Sequence, residues 1–153
     1  MTKIFPLVTH LETLQKDRAA LAKLRRGLGS TYGDVEMYPY VVPFLPKEKY
    51  LHEFYFLIAS LFGMHPEPGA GNNESIGTVF SKFAQNDSVE RRFKALINTD
   101  EKDLSYHLRQ AVSLAHSKNI PVNYHRLLQD LLNWRHPDHF VQLQWARDFW
   151  GSQ

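Results

Sequence analysis

Cysteine is missing from all 153 residues of this chain. Its absence excludes disulfides, thiolate nucleophiles, Cys-ligated zinc and Cys-ligated iron–sulfur clusters, and it fits a cytoplasmic protein. Long apolar runs are missing as well. The best candidate is interrupted by His52 and Glu53, so no membrane span is expected. The opening segment from Met1 to Val8 has neither the apolar core nor the small-residue cleavage site of a signal peptide. No stretch alternates as a half-buried strand would, and there is no internal repeat and no low-complexity tract. Charge of one sign is also scarce. The formal net charge is only +2, so no basic field covers the whole chain, and nucleic-acid contact must come from local patches.

Catalytic signatures are equally thin. There is no Gly-x-Ser-x-Gly elbow, no Ser/His/Asp pattern and no His-Glu-x-x-His pair. His136 and His139 flank Pro137; across a proline break they are not a helical metal pair, so neither a metal nor a cofactor is expected. The glycines between Pro66 and Glu74 make no phosphate loop, because no Gly-Lys-Ser/Thr follows them and no strand precedes them. This stretch reads as a flexible surface loop. Glu90, Asp100, Glu101 and Asp103 gather acids near basic helices, but a two-metal nuclease also needs a cavity around them. His52, His107 and His125 stand singly on helices. An enzyme is therefore the poorer expectation, and no small-molecule substrate is implied.

What the chain has is apolar residues at helical spacing, in a composition that is 43% hydrophobic and 13% aromatic. Such content supports a core, and 153 residues suit one compact domain or two small bundles. A first short helix could start at Thr9 or Thr13. Asp17 then caps Arg18 to Leu28, with Ala20, Leu21, Leu24 and Leu28 inward and Gly27 and Gly29 as the stop. Residues 30–47 carry Pro39, Pro43 and Pro46 among apolar residues, which predicts a packed, partly extended connector with one turn of helix. Glu48 to Met64 is apolar almost all round and reads as a central buried helix. Ser75 caps Ile76 to Ala84, Ser88 caps Val89 to Ile97, a long helix follows Asp100, Asn123 caps Tyr124 to Arg135, and Asp138 caps a last helix to Trp150. The wide apolar surface of that last helix implies docking on its own bundle or on another chain. The sum is an all-α fold of about eight helices in two packed bundles, with the division placed between residues 1–85 and 86–153.

The cations lie off the apolar stripes. Val89, Phe93, Leu96 and Ile97 form one face of their helix; at about 100° per residue Arg91 points nearly opposite, Lys94 lies beside it and Arg92 falls on the flank. On the next helix Leu104, Leu108, Ala111, Val112 and Ala115 are the buried stripe. Lys102, Arg109 and His116, spaced by seven, run along one flank with the character of a phosphate track. Lys23 and Arg26 share the outer side of the helix capped by Asp17, with Arg25 on its flank, where the helix dipole alone would also favour cations. Arg126 points outward. Tyr32, Tyr38, Trp134 and Trp145 could stack bases, although their apolar neighbours favour core packing. The bland reading of these faces is ordinary solvated helix surface; the functional one is a backbone-binding surface, and its main rival is a structural helical adaptor whose arginines pair with partner proteins.

A set of segments then stands out in order along the chain. They are Leu24-Arg25-Arg26, Tyr40-Val41-Val42-Pro43-Phe44, Gly77-Thr78, Ser88-Val89-Glu90-Arg91-Arg92-Phe93, Leu108-Arg109-Gln110-Ala111-Val112, the run from Leu127-Leu128 through Asp130-Leu131-Leu132 to Trp134, and Trp145-Ala146-Arg147-Asp148-Phe149. Together they resemble the CasB family, the small subunit of the type I-E CRISPR surveillance complex known as Cascade, over nearly the whole chain. The resemblance implies a non-catalytic, all-helical subunit of two bundles, present as a pair of copies along the belly of the complex. Its implied partners are the Cascade backbone and large subunits, a second copy of itself and target DNA, with guide RNA as a further candidate; its implied task is to stabilise opened DNA. Carried over by position, Arg25, Arg26, Arg91 and Arg109 correspond to DNA-facing cations, followed by Arg135 and His136. Lys23, Arg92, Lys94 and Arg126 complete the nucleic-acid-binding set expected from the helix faces.

Overall fold

The computed structural model describes residues 3–66 and 73–151. Among them the chain forms nine α-helices and several single helical turns. The first helix, α1 (Pro6–Glu12), starts earlier than Thr9: Pro6 takes its first position, where a missing N–H removes nothing. Asp17 caps α2 (Arg18–Arg25) by accepting from the Ala20 N–H at 3.0 Å.

The connector is more helical than its prolines predict. It carries a 3₁₀ turn at Val35–Met37, α3 (Tyr38–Val41) and a second 3₁₀ turn at Val42–Phe44. Pro39 and Pro43 each fall within the first turn of one of these pieces, the position where proline's fixed φ starts a helix instead of breaking it. After a further turn at Lys49–Leu51 comes the central helix α4 (His52–Met64), whose Phe54, Tyr55, Phe56, Ile58, Ala59, Leu61 and Phe62 are all buried. Helix α2 lies against α4 at close range because of Gly63: a Cβ there would stand 2.8 Å from the Leu24 Cβ and 2.9 Å from the Arg25 backbone nitrogen.

The second half wraps α4 from other sides. Ser75 caps α5 (Ile76–Ser81). Helix α6 (Asp87–Ile97) is capped by Asn86, not Ser88; the Asn86 side chain accepts from the Val89 N–H at 2.9 Å and places both Asp87 and Ser88 inside the first turn. Helix α7 (Glu101–Ser117), capped by Asp100, packs on α4 and α6. Helix α8 (Tyr124–Leu132) begins at Asn123 as expected but stops three residues before Arg135. Its Tyr124 hydroxyl donates to the His65 carbonyl at 2.6 Å, tying α8 to the C-terminal end of α4. The last helix, α9 (Phe140–Ala146), follows His139, a left-handed residue with φ 51°, rather than an Asp138 cap, and runs into a π turn at Arg147–Gly151.

One hydrophobic cluster runs from Phe5 to Phe149. Its aromatic end is Phe80, Phe93 and Phe149, with Phe93 to Phe149 centroids 4.3 Å apart; aromatic pairs at this spacing add to the value of simple burial. Trp134 and Trp145 are buried in it, whereas Tyr32 and Tyr38 stay exposed. On α9 the apolar surface is divided: Val141 and Trp145 turn inward, while Phe140 and Leu143 remain exposed beside Trp150. No helix among the described residues is long and apolar enough to cross a membrane. Most of the loop from Pro66 to Glu74 lies outside the described residues.

Candidate nucleic-acid interface

The cations sort by what already holds them. Arg126 does not face outward. Its Nε donates to both Asp130 carboxylate oxygens at 3.1–3.2 Å, its Nη1 donates to the Asn73 carbonyl at 2.8 Å, and its side chain is only 13% exposed. The reason is long-range: Trp145 on α9 buries Asp130 and donates its indole N–H to it at 2.7 Å, and Arg126, one turn back on α8, turns in to complete the pair. Burial pushes the Asp130 carboxyl above its usual range, while Trp145 and Arg126 act against that shift.

Arg135 is held too. Its guanidinium donates to both carboxylate oxygens of Glu101, lies 4.0 Å from the Glu53 carboxylate and sits over the Tyr50 ring. The Glu101 bond raises its pKa further. Arg25 bends back to α4, donating from Nη1 to the Gly63 carbonyl at 3.0 Å. Arg26 reaches Asp34 at 3.6 Å but stays 61% exposed. Lys94 pairs with Glu90 at 3.0 Å, one turn apart on α6; the Lys94 hydrogen bond and charge hold the Glu90 carboxyl below its usual range. His136 is exposed, 3.9 Å from Asp138. Lys23 is exposed on the outer side of α2, as expected.

Arg91, Arg92 and Arg109 share the state of Lys23: all are exposed on helices, and no ion pair joins them to a carboxylate among the described residues. Arg109 and Lys102, seven apart on α7, share a cleft of about 580 Å³ with residues 27–31, which follow α2, and with the first half of α4. Its floor is Phe54, Leu57 and Leu104. The chain leaves α2 through Gly29, whose positive φ of 84° belongs to the left-handed region that glycine accepts; a Cβ there would lie 3.5 Å from Nη1 of Arg109. The third member of the seven-residue track, His116, is instead drawn to buried His65, Nδ1 to Nδ1 at 3.0 Å.

The sequence therefore locates the α7 track and misses the cleft behind it. Ser105 and Tyr106, which line the cleft, carry no signal of their own, and Glu53 and Glu101 become its neighbours only because α4 and α7 pack side by side. The structure joins Arg109 to the segment after α2, and no residue of α6 lines that cleft, so Arg91 and Arg92 are not part of it. No group of three metal-ligating side chains occurs among the described residues.

The described residues thus form an all-helical protein with arginines exposed on its helices. The family model for the CRISPR-associated protein Cse2 matches residues 20–150. A Cse2 protein of Thermus thermophilus is 34% identical over 138 residues, which is 88% of this chain and 80% of the relative. The crystal structure of CasB from Thermus thermophilus superposes with a TM-score of 0.83 at 31% identity, covering 97% of this chain and 99% of that one. A chain of a CRISPR RNA-guided surveillance complex has the same fold, with a TM-score of 0.81 at 22% identity, over 94% of this chain and 88% of that one. The chain belongs to the CRISPR-associated Cse2 family, the CasB family that its segments resemble.

Proposed function

We propose that this chain is the non-catalytic small subunit of a type I-E CRISPR Cascade surveillance complex, and that it stabilises the R-loop by holding the backbone of opened DNA. Family membership supports the setting, as does a fold shared with a chain of an RNA-guided surveillance complex. In such a complex the protein works among the backbone and large subunits in the cytoplasm, paired with a second copy of itself. One observation carries the DNA-holding role: Arg91, Arg92 and Arg109 are exposed and carry charge that no carboxylate among the described residues neutralises, although sixteen acidic residues are available in the chain.

The energetics suit a modest grip. In another CRISPR system, exchanging a DNA duplex for a guide–target duplex is nearly balanced, so small contacts to the strands decide the outcome. Guanidinium groups on rigid helices supply such contacts without reading sequence, because phosphates carry no base identity. Lys23, Arg26, Lys94 and His136, exposed and loosely paired at most, add to the local field. Arg126, buried in its pair with Asp130, stands outside the surface we propose, and Arg25 and Arg135, exposed but each held by a hydrogen-bond partner, lie at most at its edge.

The test is the double variant Arg91→Ala/Arg109→Ala in the assembled complex. Capture of target DNA weakens and the dependence of log affinity on log salt drops by about one to two units, while subunit composition is unchanged. Unchanged affinity and slope reject the role. Loss of the variant from the complex in the absence of DNA assigns these arginines to a protein–protein adaptor.

A further inference from the structure

The cleft between α4, α7 and the segment that follows α2 is more than a ledge for Arg109. Its volume of about 580 Å³ lies within the range of small-ligand sites, and its lining combines apolar, cationic and acidic groups. Phe54, Leu57 and Leu104 give an apolar floor, and Tyr106, 61% exposed, gives an aromatic wall. Arg109 and Lys102 place cations along one side. Glu53 and Glu101 put carboxyl groups in the same cleft.

A phosphate group fits the floor of this cleft poorly, because Phe54, Leu57, Leu104 and Tyr106 would strip it of water without pairing its charge. A nucleobase fits it well. Its faces match an apolar floor and an aromatic wall, an amino group on its edge can donate to carboxyl oxygens, and its phosphates stay outside with the cations. We infer that the cleft receives one unstacked nucleobase bearing an exocyclic amino group, taken from the strand that Arg109 holds. This rests on the DNA-holding function proposed above and adds a base site to it.

The state of the two carboxyls agrees with that ligand. Burial, together with the neighbouring Glu101, pushes Glu53 up to about 7. Burial also acts on Glu101, but hydrogen bonds from Arg135 and Glu53 keep its carboxyl low. Near neutrality the pair therefore carries between one and two negative charges, and Arg135 offsets one of them. Acceptor oxygens are present without a strong field against an incoming polyanion. Thymine, which lacks the amino group, has no donor of this kind to offer them.

The experiment uses the full chain and four fluorescent 12-mers: dC12, dT12, an abasic deoxyribose-phosphate 12-mer, and rC12. At low salt dC12 binds about tenfold more tightly than the abasic strand, the size of one base stacked on an aromatic side chain, with dT12 below dC12. Ser105→Trp, which fills the cleft from an exposed position, and Tyr106→Ala each bring dC12 down to the abasic affinity and leave the abasic affinity unchanged. Arg91→Ala weakens all four probes alike. Comparison of rC12 with dC12 assigns the strand: an advantage in either one that the cleft variants abolish supports the site, and the tighter one names its source. Equal binding of dC12 and the abasic strand overturns the base site and leaves backbone binding standing. Equal binding of dT12 and dC12, or a dC12 advantage that survives both variants, also overturns it. Failure of every probe to bind rejects the base site and the backbone function together.

Discussion

The indole N–H of Trp145 donates to the Asp130 carboxylate at 2.7 Å, tying α9 to α8 through a buried charge. This one bond explains why Arg126 turns inward, and its removal has a defined signature. Trp145→Phe keeps most of the ring and deletes the donor. The loss of a partner by a buried carboxylate destabilises the fold by about 1–3 kcal/mol. The Asp130 carboxyl already sits above its usual range because of burial. A raised folded-state pKa gives stability that is complete below the unfolded value of 3.8 and is lost as pH rises through the folded one. The Trp145→Phe deficit therefore grows from acid towards neutral pH, as urea denaturation at a series of pH values would register.

Gly77 in α5 makes a prediction against helix propensity. Alanine is favoured over glycine inside a helix by about 1 kcal/mol, yet a Cβ at Gly77 would stand 2.2 Å from the Trp145 carbonyl oxygen. Backbone cannot yield as a side-chain tip can. Gly77→Ala therefore destabilises the protein by more than about 2 kcal/mol, in line with overpacking, and lowers the midpoint of thermal unfolding. A midpoint equal to the wild type, or above it, would mean that α5 and α9 can move apart freely.

The helix faces are legible in the sequence because they depend on neighbours three and four residues away. The stripes of α6 and α7 and the caps at Asp17, Ser75 and Asn123 stand in the structure where the spacing places them. Local competition defeats other expectations. Asn86 takes the cap of α6 from Ser88, and Pro39 and Pro43 begin helical turns instead of preventing them. The candidate site is half legible for the same reason. Arg109 and Lys102 share a flank at a spacing of seven, which the sequence displays. That the segment after α2 and the start of α4 meet them in a cleft depends on contacts across some fifty to eighty residues, and the burial of Arg126 likewise depends on a tryptophan of another helix.

Arg126 and Arg109 should accordingly separate stability from binding. Arg126→Ala leaves Asp130 buried with one donor fewer. Breaking a buried pair on one side costs about 3–5 kcal/mol, and nucleic-acid affinity of the folded fraction stays at the wild-type value. Arg109→Ala does the reverse: it changes stability by less than about 0.5 kcal/mol, as expected of an exposed helical position, and weakens backbone binding. Urea midpoints and salt-dependent binding measured on the same two variants check both halves. Comparable stability losses would show that Arg109 also serves the fold.

Glu53, Glu101 and Arg135 couple the cleft to pH. Burial first, then the hydrogen bond and charge of Glu101, raise Glu53 from 4.5 to about 7 against the pull of Arg135. Its stabilisation is complete below 4.5 and disappears as pH rises through about 7. Glu101 has the opposite sign: the bonds from Arg135 and Glu53 overcome its burial and hold it low, so its contribution exists above 4.5 and fades as pH falls. The cluster is thus most favourable between about pH 4.5 and 7. Side-chain exposures of 30% for Glu53 and 21% for Glu101 admit solvent screening, which limits the effect to about 1 kcal/mol. Glu53→Gln keeps a neutral hydrogen-bonding group at all pH values. The wild-type melting temperature should decline between about pH 6 and 8, and that of Glu53→Gln should decline less. Parallel curves for the two proteins would show that Glu53 and Glu101 do not share a proton and that other groups carry the pH dependence.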